Sequence, residues 1–386
     1  MTYKFPLACD SWDHQEKEAI IKVVKDGFFT MSTRVKKFED EFCDYIGSKY
    51  SIMVNSGSSA NLLMIASLFY TKDNKKKLKR GDEVIVPAVS WSTSYYPLYQ
   101  YGLKIKFVDI DLHTLNYDLK KLRSAVSNKT KVILSVNLLG NPNDFNEINK
   151  IIDKKDILII EDNCESLGAE FKDKKTGSIG LMGTFSFFFS HHISTMEGGM
   201  IVTNDEELYH ILLSLRAHGW TRNLPDDNLV ATKKNNNFDE SFRFVLPGYN
   251  LRPLEMSGAI GSVQLKKFPQ FLEQRRKNAK IFLEKMNTYD DIITQKEIGS
   301  SSWFGFSMVI KKESSRTKRD LLNILNSLGF ECRPIVAGNF TKNDVVKYFD
   351  AEIDDDFVNA NLIDTHGLFI GNHHLDMKKA INSLDI

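Results

Sequence analysis

The stretch ILIIEDN, residues 157–163, puts four apolar residues in a row directly before two acids and an asparagine. An apolar run with no polar alternation reads as a strand buried on both faces, the mark of a parallel sheet covered by helices. EVIVP (83–87), IKFVDID (105–111) and VILSVNLLG (132–140) read the same way. SIMVNS (51–56) predicts one more strand, and SSANLLMIASLFY (58–70) behind it is an apolar block too long for a strand. Strands separated by helical stretches predict βαβ units, an α/β class and a mainly parallel sheet.

Further on the pattern changes. LPDDNLVATKKNNNFDESFR (224–243) is polar and non-periodic, and predicts a long loop of the functional kind. After LPGYNLRPLEMSGAIGSVQL (246–265) a long helix is expected to about residue 287, with strands at WFGFSMVIK (303–311) and near CRPIV (332–336). The expected organisation is a large domain, 1–245, and a smaller C-terminal α+β domain, 246–386. At 386 residues the chain is long enough for both.

Composition narrows the function classes. With 42% hydrophobic residues, 26% charged residues and a formal net charge of +1, nothing electrostatic points to nucleic acid or a membrane surface. The start, MTYKFPLACDSW, has no apolar signal core and no apolar run approaches a membrane span, so a cytoplasmic protein is expected. Cys9, Cys43, Cys164 and Cys332 are too scattered for a disulfide framework, a metal site or an iron–sulfur cluster; free thiols and no metal are expected.

Four features fall at predicted strand ends. In SGSSAN (56–61), Gly57 permits a tight turn, Ser58 or Ser59 caps the following helix, and the free amides there suit a phosphate. In PAVSWSTSYYP (87–97), Trp91 stands where an aromatic either stacks on a flat ligand or packs into the core. EDNCES (161–166) places Asp162 and Glu165 at the carboxyl edge, where open α/β sheets bind ligands and where a carboxylate can pair with a protonated ring nitrogen. SFFFSHHISTMEGGM (186–200) supplies a serine, an aromatic run and two adjacent histidines. Each has a plain structural reading alone: a turn, a packed ring, a helix cap, buried imidazoles. Together they describe a pocket for a phosphorylated aromatic ring, with pyridoxal phosphate (PLP) as candidate.

In these motifs the chain resembles the sugar aminotransferases of the DegT/DnrJ/EryC1/StrS group along essentially its whole length. That group's pattern is SGSxAN, an aromatic after the next strand, ED with Gln three residues on, SFxxxK ahead of GEGG, and GYNxR. Here the matches are SGSSAN, Trp91, Glu161-Asp162, SFFFSH, MEGGM and Gly248-Tyr249-Asn250-Leu251-Arg252. The resemblance implies a type I PLP-dependent (aspartate aminotransferase-like) fold. It implies that Gly57, Ser58 and Ser186 hold the phosphate, Trp91 stacks on the ring and Asp162 keeps its nitrogen protonated, with Glu165 close by. Asn250 matches a residue that the group supplies from the neighbouring subunit, which implies a homodimer with active sites at the interface. His218, Arg222 and Arg252 are candidate substrate contacts, because guanidinium groups bind diphosphate or carboxylate oxyanions with paired hydrogen bonds.

Two departures stand out: His191 occupies the lysine position and Glu165 the Gln position. A histidine there resembles the dehydratase branch. A neighbouring branch with the same histidine needs an iron–sulfur cluster, and its clustered cysteines are absent here. An imidazole cannot tether the cofactor covalently, yet remains a general base with a pKa near operating pH. The resemblance therefore implies that glutamate, as amino donor, converts PLP to pyridoxamine phosphate (PMP). His191 then serves in expelling the C3 hydroxyl of GDP-4-keto-6-deoxy-D-mannose, and ammonia and 2-oxoglutarate are released, toward dideoxysugars such as the colitose of O-antigen lipopolysaccharide. His192 is expected to pack or to support its neighbour. The rival expectations are a nucleotide-sugar 4-aminotransferase and a non-catalytic PLP-binding protein.

Overall fold

The computed structural model describes residues 3–153, 155–353 and 356–386. Its main sheet takes β1 (Tyr50–Val54), β2 (Glu83–Pro87), β3 (Lys104–Val108), β4 (Thr130–Val136) and β5 (Leu158–Asp162) from the apolar runs of the sequence. A two-stranded hairpin follows, β6 (Glu170–Phe171) with β7 (Lys174–Lys175), and then β8 (Met182–Ser186) and β9 (Gly199–Thr203). Spatial order is β1-β9-β8-β5-β4-β2-β3, and only β9 runs against the rest. The chain moves from β2 outward to β3, then returns to β4 on the other side of β2, so the order reverses between β2 and β4. At such a reversal the loops leaving neighbouring strands part and open a crevice at their carboxyl ends.

Flanking β8 and β9 bracket the loop 187–198, and neither was legible as a strand. MGTFS carries two small residues and a hydroxyl, and GMIVT hides behind the Glu-Gly-Gly run. Both are buried because helices cover the sheet, not because their own pattern demands it.

Past residue 290 an antiparallel sheet forms from β10 (Ile292–Thr294), β11 (Gly305–Ile310), β12 (Cys332–Arg333) and β14 (Gly367–Gly371), in the order β10-β11-β14-β12. Of CRPIV only the first two residues are strand. Between them β13 (Ala351–Glu352) leaves this sheet and pairs in parallel with β3 at the edge of the main one. Residues 246–386 thus build all of the second sheet and one edge of the first. The segment 224–243 is irregular apart from one short helix, Asn237–Glu240.

The helix expected to about residue 287 runs Glu255–Met286. It packs on α1 (His14–Asp26) and α2 (Thr33–Ile46). Its first residue, Glu255, accepts the backbone N–H of Ser32 (2.7 Å) and Arg34 (2.6 Å). A carboxylate from another helix thereby satisfies amides at the start of α2, where Ser32 makes no side-chain cap. Among the described residues no helix is long and apolar enough to cross a membrane, and no group of three or more His, Cys, Asp or Glu could hold a metal ion. The four cysteines are free.

One residue of β5 anchors the sheet's carboxyl edge. Glu161, fully buried, accepts N–H from Gly177 (2.6 Å), Ile179 (2.8 Å), Gly180 (2.7 Å) and the Asn137 amide (3.1 Å). It thus ties the turn before β8 to β5 and to the loop after β4. Each carboxylate oxygen accepts two of these donors, so in Glu161→Gln two of the four would face an NH2 group instead of an oxygen. Urea unfolding should show a loss of about 2–6 kcal/mol, at about 1–3 kcal/mol for each buried donor left unmatched.

Candidate active site

The N-terminus of a helix and the ends of four strands meet in one cavity of about 380 Å³. On its first wall is α3 (Gly57–Leu68), capped by Ser56, whose Oγ accepts the Ser59 N–H at 3.1 Å. The amides of Gly57 and Ser58 precede the first intrahelical bond, so they have no partner within the helix. Gly57 is required by space: a Cβ there would lie 2.5 Å from Ser186 Cβ and 3.1 Å from Cys164 Sγ. Ser58 Oγ donates to Thr93 Oγ1 at 3.1 Å, joining α3 to α4 (Ser92–Gln100). Helix start, Ser58 and Ser186 together line this wall, where unpaired amides at a helix N-terminus suit an anion.

Opposite that wall, Asp162 ends β5 with only 5% of its surface exposed. Its Oδ2 accepts from Asn61 Nδ2 (2.8 Å) and Ser94 Oγ (2.7 Å), and its Oδ1 from the Cys164 amide (3.1 Å). Asn61 is itself oriented by Thr184 Oγ1, which donates to its Oδ1 at 2.6 Å. Asn61 and Ser94 are positioning residues that sequence reasoning missed, although both lie inside motifs it quoted. Trp91, just before α4, is 58% exposed at the cavity wall.

Glu165 lines the same cavity, and its Oε2 accepts the Leu139 N–H at 3.0 Å. Burial pushes its carboxyl up to about 7, with the negative charge of Asp162 adding to the rise against that one hydrogen bond. The loop 187–198 then carries His191 into the cavity, its ring edge-on to Phe304 at 5.2 Å and to Phe188 at 6.0 Å. Its Nδ1 is buried without a hydrogen-bond partner. Burial, and then the positive charge of Arg275, bring its pKa down to about 4. His192 is turned away and buried at 2% exposure, its Nε2 3.2 Å from the Ser302 carbonyl and its ring against Phe268 and Phe304. Phe304 comes from far along the chain, and no signal in the sequence marked it.

Gly57, Ser58, Trp91, Asp162, Glu165, Ser186 and His191 therefore line one cavity. The other candidates do not reach it in the same chain. Asn250 is exposed, and its Oδ1 accepts from Arg252 Nε at 3.0 Å. The guanidinium groups of Arg222 and Arg252 stand 4.3 Å and 5.5 Å from the Trp220 ring, and His218 packs on that ring at 5.1 Å. These four form a second, aromatic-centred cluster.

Glu165 makes the cavity pH-sensitive with a definite sign. Its pKa is raised from 4.5 to about 7, so its stabilising contribution is complete below 4.5 and is lost as pH rises through about 7. Glu165→Gln cannot ionise. Urea unfolding of the cofactor-free chain should show the variant gaining on the parent between these pH values, by on the order of 1–3 kcal/mol with solvent screening at the cavity wall, and a constant difference above them.

Residues 10–380 match the DegT/DnrJ/EryC1/StrS aminotransferase family. Over 382 residues the chain is 60% identical to the GDP-4-keto-6-deoxy-D-mannose 3-dehydratase of Yersinia pseudotuberculosis, covering 98% of this chain and 97% of that protein. The structure of the E. coli GDP-4-keto-6-deoxy-D-mannose-3-dehydratase with bound hydrated PLP matches with a TM-score of 0.97 at 58% identity, over 99% of this chain and 98% of that one. A structure of GDP-4-keto-6-deoxymannose-3-dehydratase with a trapped PLP-glutamate geminal diamine matches with a TM-score of 0.96 at 58% identity, over 98% of each chain. The fold is that of the type I PLP-dependent enzymes. With its sheet, its cavity and nearly its whole length accounted for in this way, the chain belongs to the DegT/DnrJ/EryC1/StrS aminotransferase family.

Proposed function

We propose that this chain is a PLP/PMP- and glutamate-dependent dehydratase acting on GDP-4-keto-6-deoxy-D-mannose. It removes the C3 hydroxyl, leaves a 4-keto-3,6-dideoxy sugar, and releases ammonia and 2-oxoglutarate. The observation that carries this reading is an imidazole, with no lysine beside it, in the cavity wall: among the described residues lining the cavity there is no lysine. The relatives named as 3-dehydratases, 60% identical over nearly the full length, support the substrate.

The residues present fit a phosphorylated pyridine. The start of α3, which Gly57 allows to lie against Ser186, offers amides to a phosphate, and the oriented carboxylate of Asp162 stands ready for a protonated ring nitrogen. When bound, the cofactor supplies an amine and an aromatic ring that accepts electrons. Asp162, fixed by Asn61 and Ser94, keeps the ring nitrogen protonated, and Trp91 covers the ring face. His191, neutral at ordinary pH, accepts a proton at its imidazole. Because an imidazole makes no covalent tether, the amine is not retained in the sugar, and the net result is loss of oxygen at C3.

Mass spectrometry of the nucleotide sugar after incubation with PLP, glutamate and GDP-4-keto-6-deoxy-D-mannose tests this directly. The product should be lighter by one oxygen, with ammonia and 2-oxoglutarate formed. A product carrying a new amine would make the chain a 4-aminotransferase. His191→Asn should still bind PMP but lose about 10²–10⁴-fold in rate, the range for a proton-transferring side chain.

The functional unit in this reading is a homodimer. Exposed aromatics on and near the cavity loop, Phe188 (40%) and Phe189 (54%), support it, as does an Asn250 cluster that does not reach the cavity of its own chain. Sedimentation should give twice the 44.2 kDa of one chain. Mixing inactive His191→Asn and Asn250→Ala subunits should restore about a quarter of the parent activity, since each hybrid dimer then contains one intact site. No recovery would place Asn250 outside the partner's site.

A further inference from the structure

Arg275 lies on the long helix, and only 4% of its surface is exposed. Buried charges are nearly always paired. This one has no carboxylate partner among the described residues. Its Nη1 donates to the carbonyls of Asn372 (2.5 Å), Phe304 (3.3 Å) and Trp303 (3.5 Å), and its Nε is buried without an acceptor. The surroundings compound the oddity. His191, His192, His373, His374 and the Cys9 thiol all feel its charge, and none of them is anionic at neutral pH. Burial lowers the guanidinium only to about 10, so it stays charged wherever the protein is folded and working.

The carbonyls it holds lead to His191. Trp303 sits in a left-handed backbone conformation, φ +48°, which a bulky residue adopts only when its surroundings enforce it. The turn is clamped from both sides. Asn372 Nδ2 donates to the Trp303 carbonyl at 2.8 Å, the Ser302 and Phe304 amides bond to Gly140 and Leu139, and Arg275 grips the carbonyls of residues 303 and 304. This turn presents the Phe304 ring edge-on to His191 and the Ser302 carbonyl to His192.

We propose that Arg275 is a positioning residue for the reaction: it clamps the turn on which the His191 ring rests and sets a buried, unpaired positive charge against the backbone of Phe304, the ring's packing partner. Resting on the reading of His191 as the base, the inference adds what prepares the base. The other ionisable groups around the ring are His192 beside it, Asp162, Cys164 and Glu165 beyond β5, and Glu197 at the far end of the loop. None of them is hydrogen-bonded to the His191 imidazole among the described residues. A proton that His191 accepts is therefore held next to a fixed positive charge, which disfavours the imidazolium and promotes its discharge to the departing C3 hydroxyl as water.

The test is a histidine NMR titration of the PMP-loaded enzyme, with His191 assigned by the signal lost in His191→Asn. In Arg275→Met the His191 midpoint should rise by about one pH unit or more, the usual effect of removing a nearby like charge. Arg275→Lys disturbs the same grip on the carbonyls but keeps a positive charge at the acid pH of the titration, so its midpoint should stay near the parent's. Equal shifts in both variants would assign the effect to the backbone clamp and overturn the role of the charge, and no shift in either would overturn the proposal. If Arg275→Met does not fold, Arg275→Gln, which removes the charge and keeps a donor for the carbonyls, takes its place: the same rise is expected, and an unmoved midpoint overturns the role of the charge. The acid limb of kcat/KM should follow the NMR midpoint. A midpoint that moves while the limb stays fixed would overturn His191 as the base and leave its coupling to Arg275 standing.

Discussion

Side chains alternate along a strand, and at the end of β5 that alternation sends two adjacent carboxylates to opposite faces. Glu161 turns into the protein and accepts four N–H groups from two separate segments, fixing the edge of the sheet from within. Asp162 turns toward the cavity, where α3 and α4 each contribute a donor to it. The cavity's geometry depends on this pair. One carboxylate secures the framework and the other is aimed by it. Neither position tolerates exchange of role, because a carboxylate without donors in a buried setting costs several kcal/mol.

Electrostatically the cavity holds two groups pushed in opposite directions by the same burial. Glu165 is raised to about 7 and His191 lowered to about 4, so both favour their neutral forms. Low-dielectric surroundings disfavour charge on whichever group would carry it. A neutral imidazole is the state needed to take up a proton. Asp162, by contrast, is supplied with three donors that fix its carboxylate in place. One cavity thus holds a carboxylate fixed by hydrogen bonds and two groups poised to be neutral, an arrangement typical of sites that move protons.

Two exposed aromatics, Trp91 and Phe188, line this cavity, and Phe189 follows on the same loop. Phe242 and Phe244, also exposed, flank the Trp220 cluster. Large exposed aromatics gathered near a concave site mark a surface meant to be covered. The irregular segment 224–243 lies beside the same cluster, with Arg222 Nη2 bonded to the Ser241 carbonyl at 2.9 Å.

By itself the sequence determined the parallel core of the sheet. EVIVP, IKFVDID, VILSVNLLG and ILIIEDN became β2 to β5 within a few residues, because a strand buried on both faces must be apolar throughout and its composition shows it. It also determined the residues of the cavity that sit in short local motifs: the glycine that space requires, the acid at a strand end, the histidine at a lysine's position. Tertiary structure alone decided the rest. β8 and β9 are strands because they are enclosed, and their small residues carry no periodic signal. The approach of Phe304 and Arg275 to His191 joins residues roughly a hundred positions apart, and the charge state of that imidazole depends on them. Burial and the fields of distant charges are properties of the folded arrangement, and no local pattern of residues encodes them.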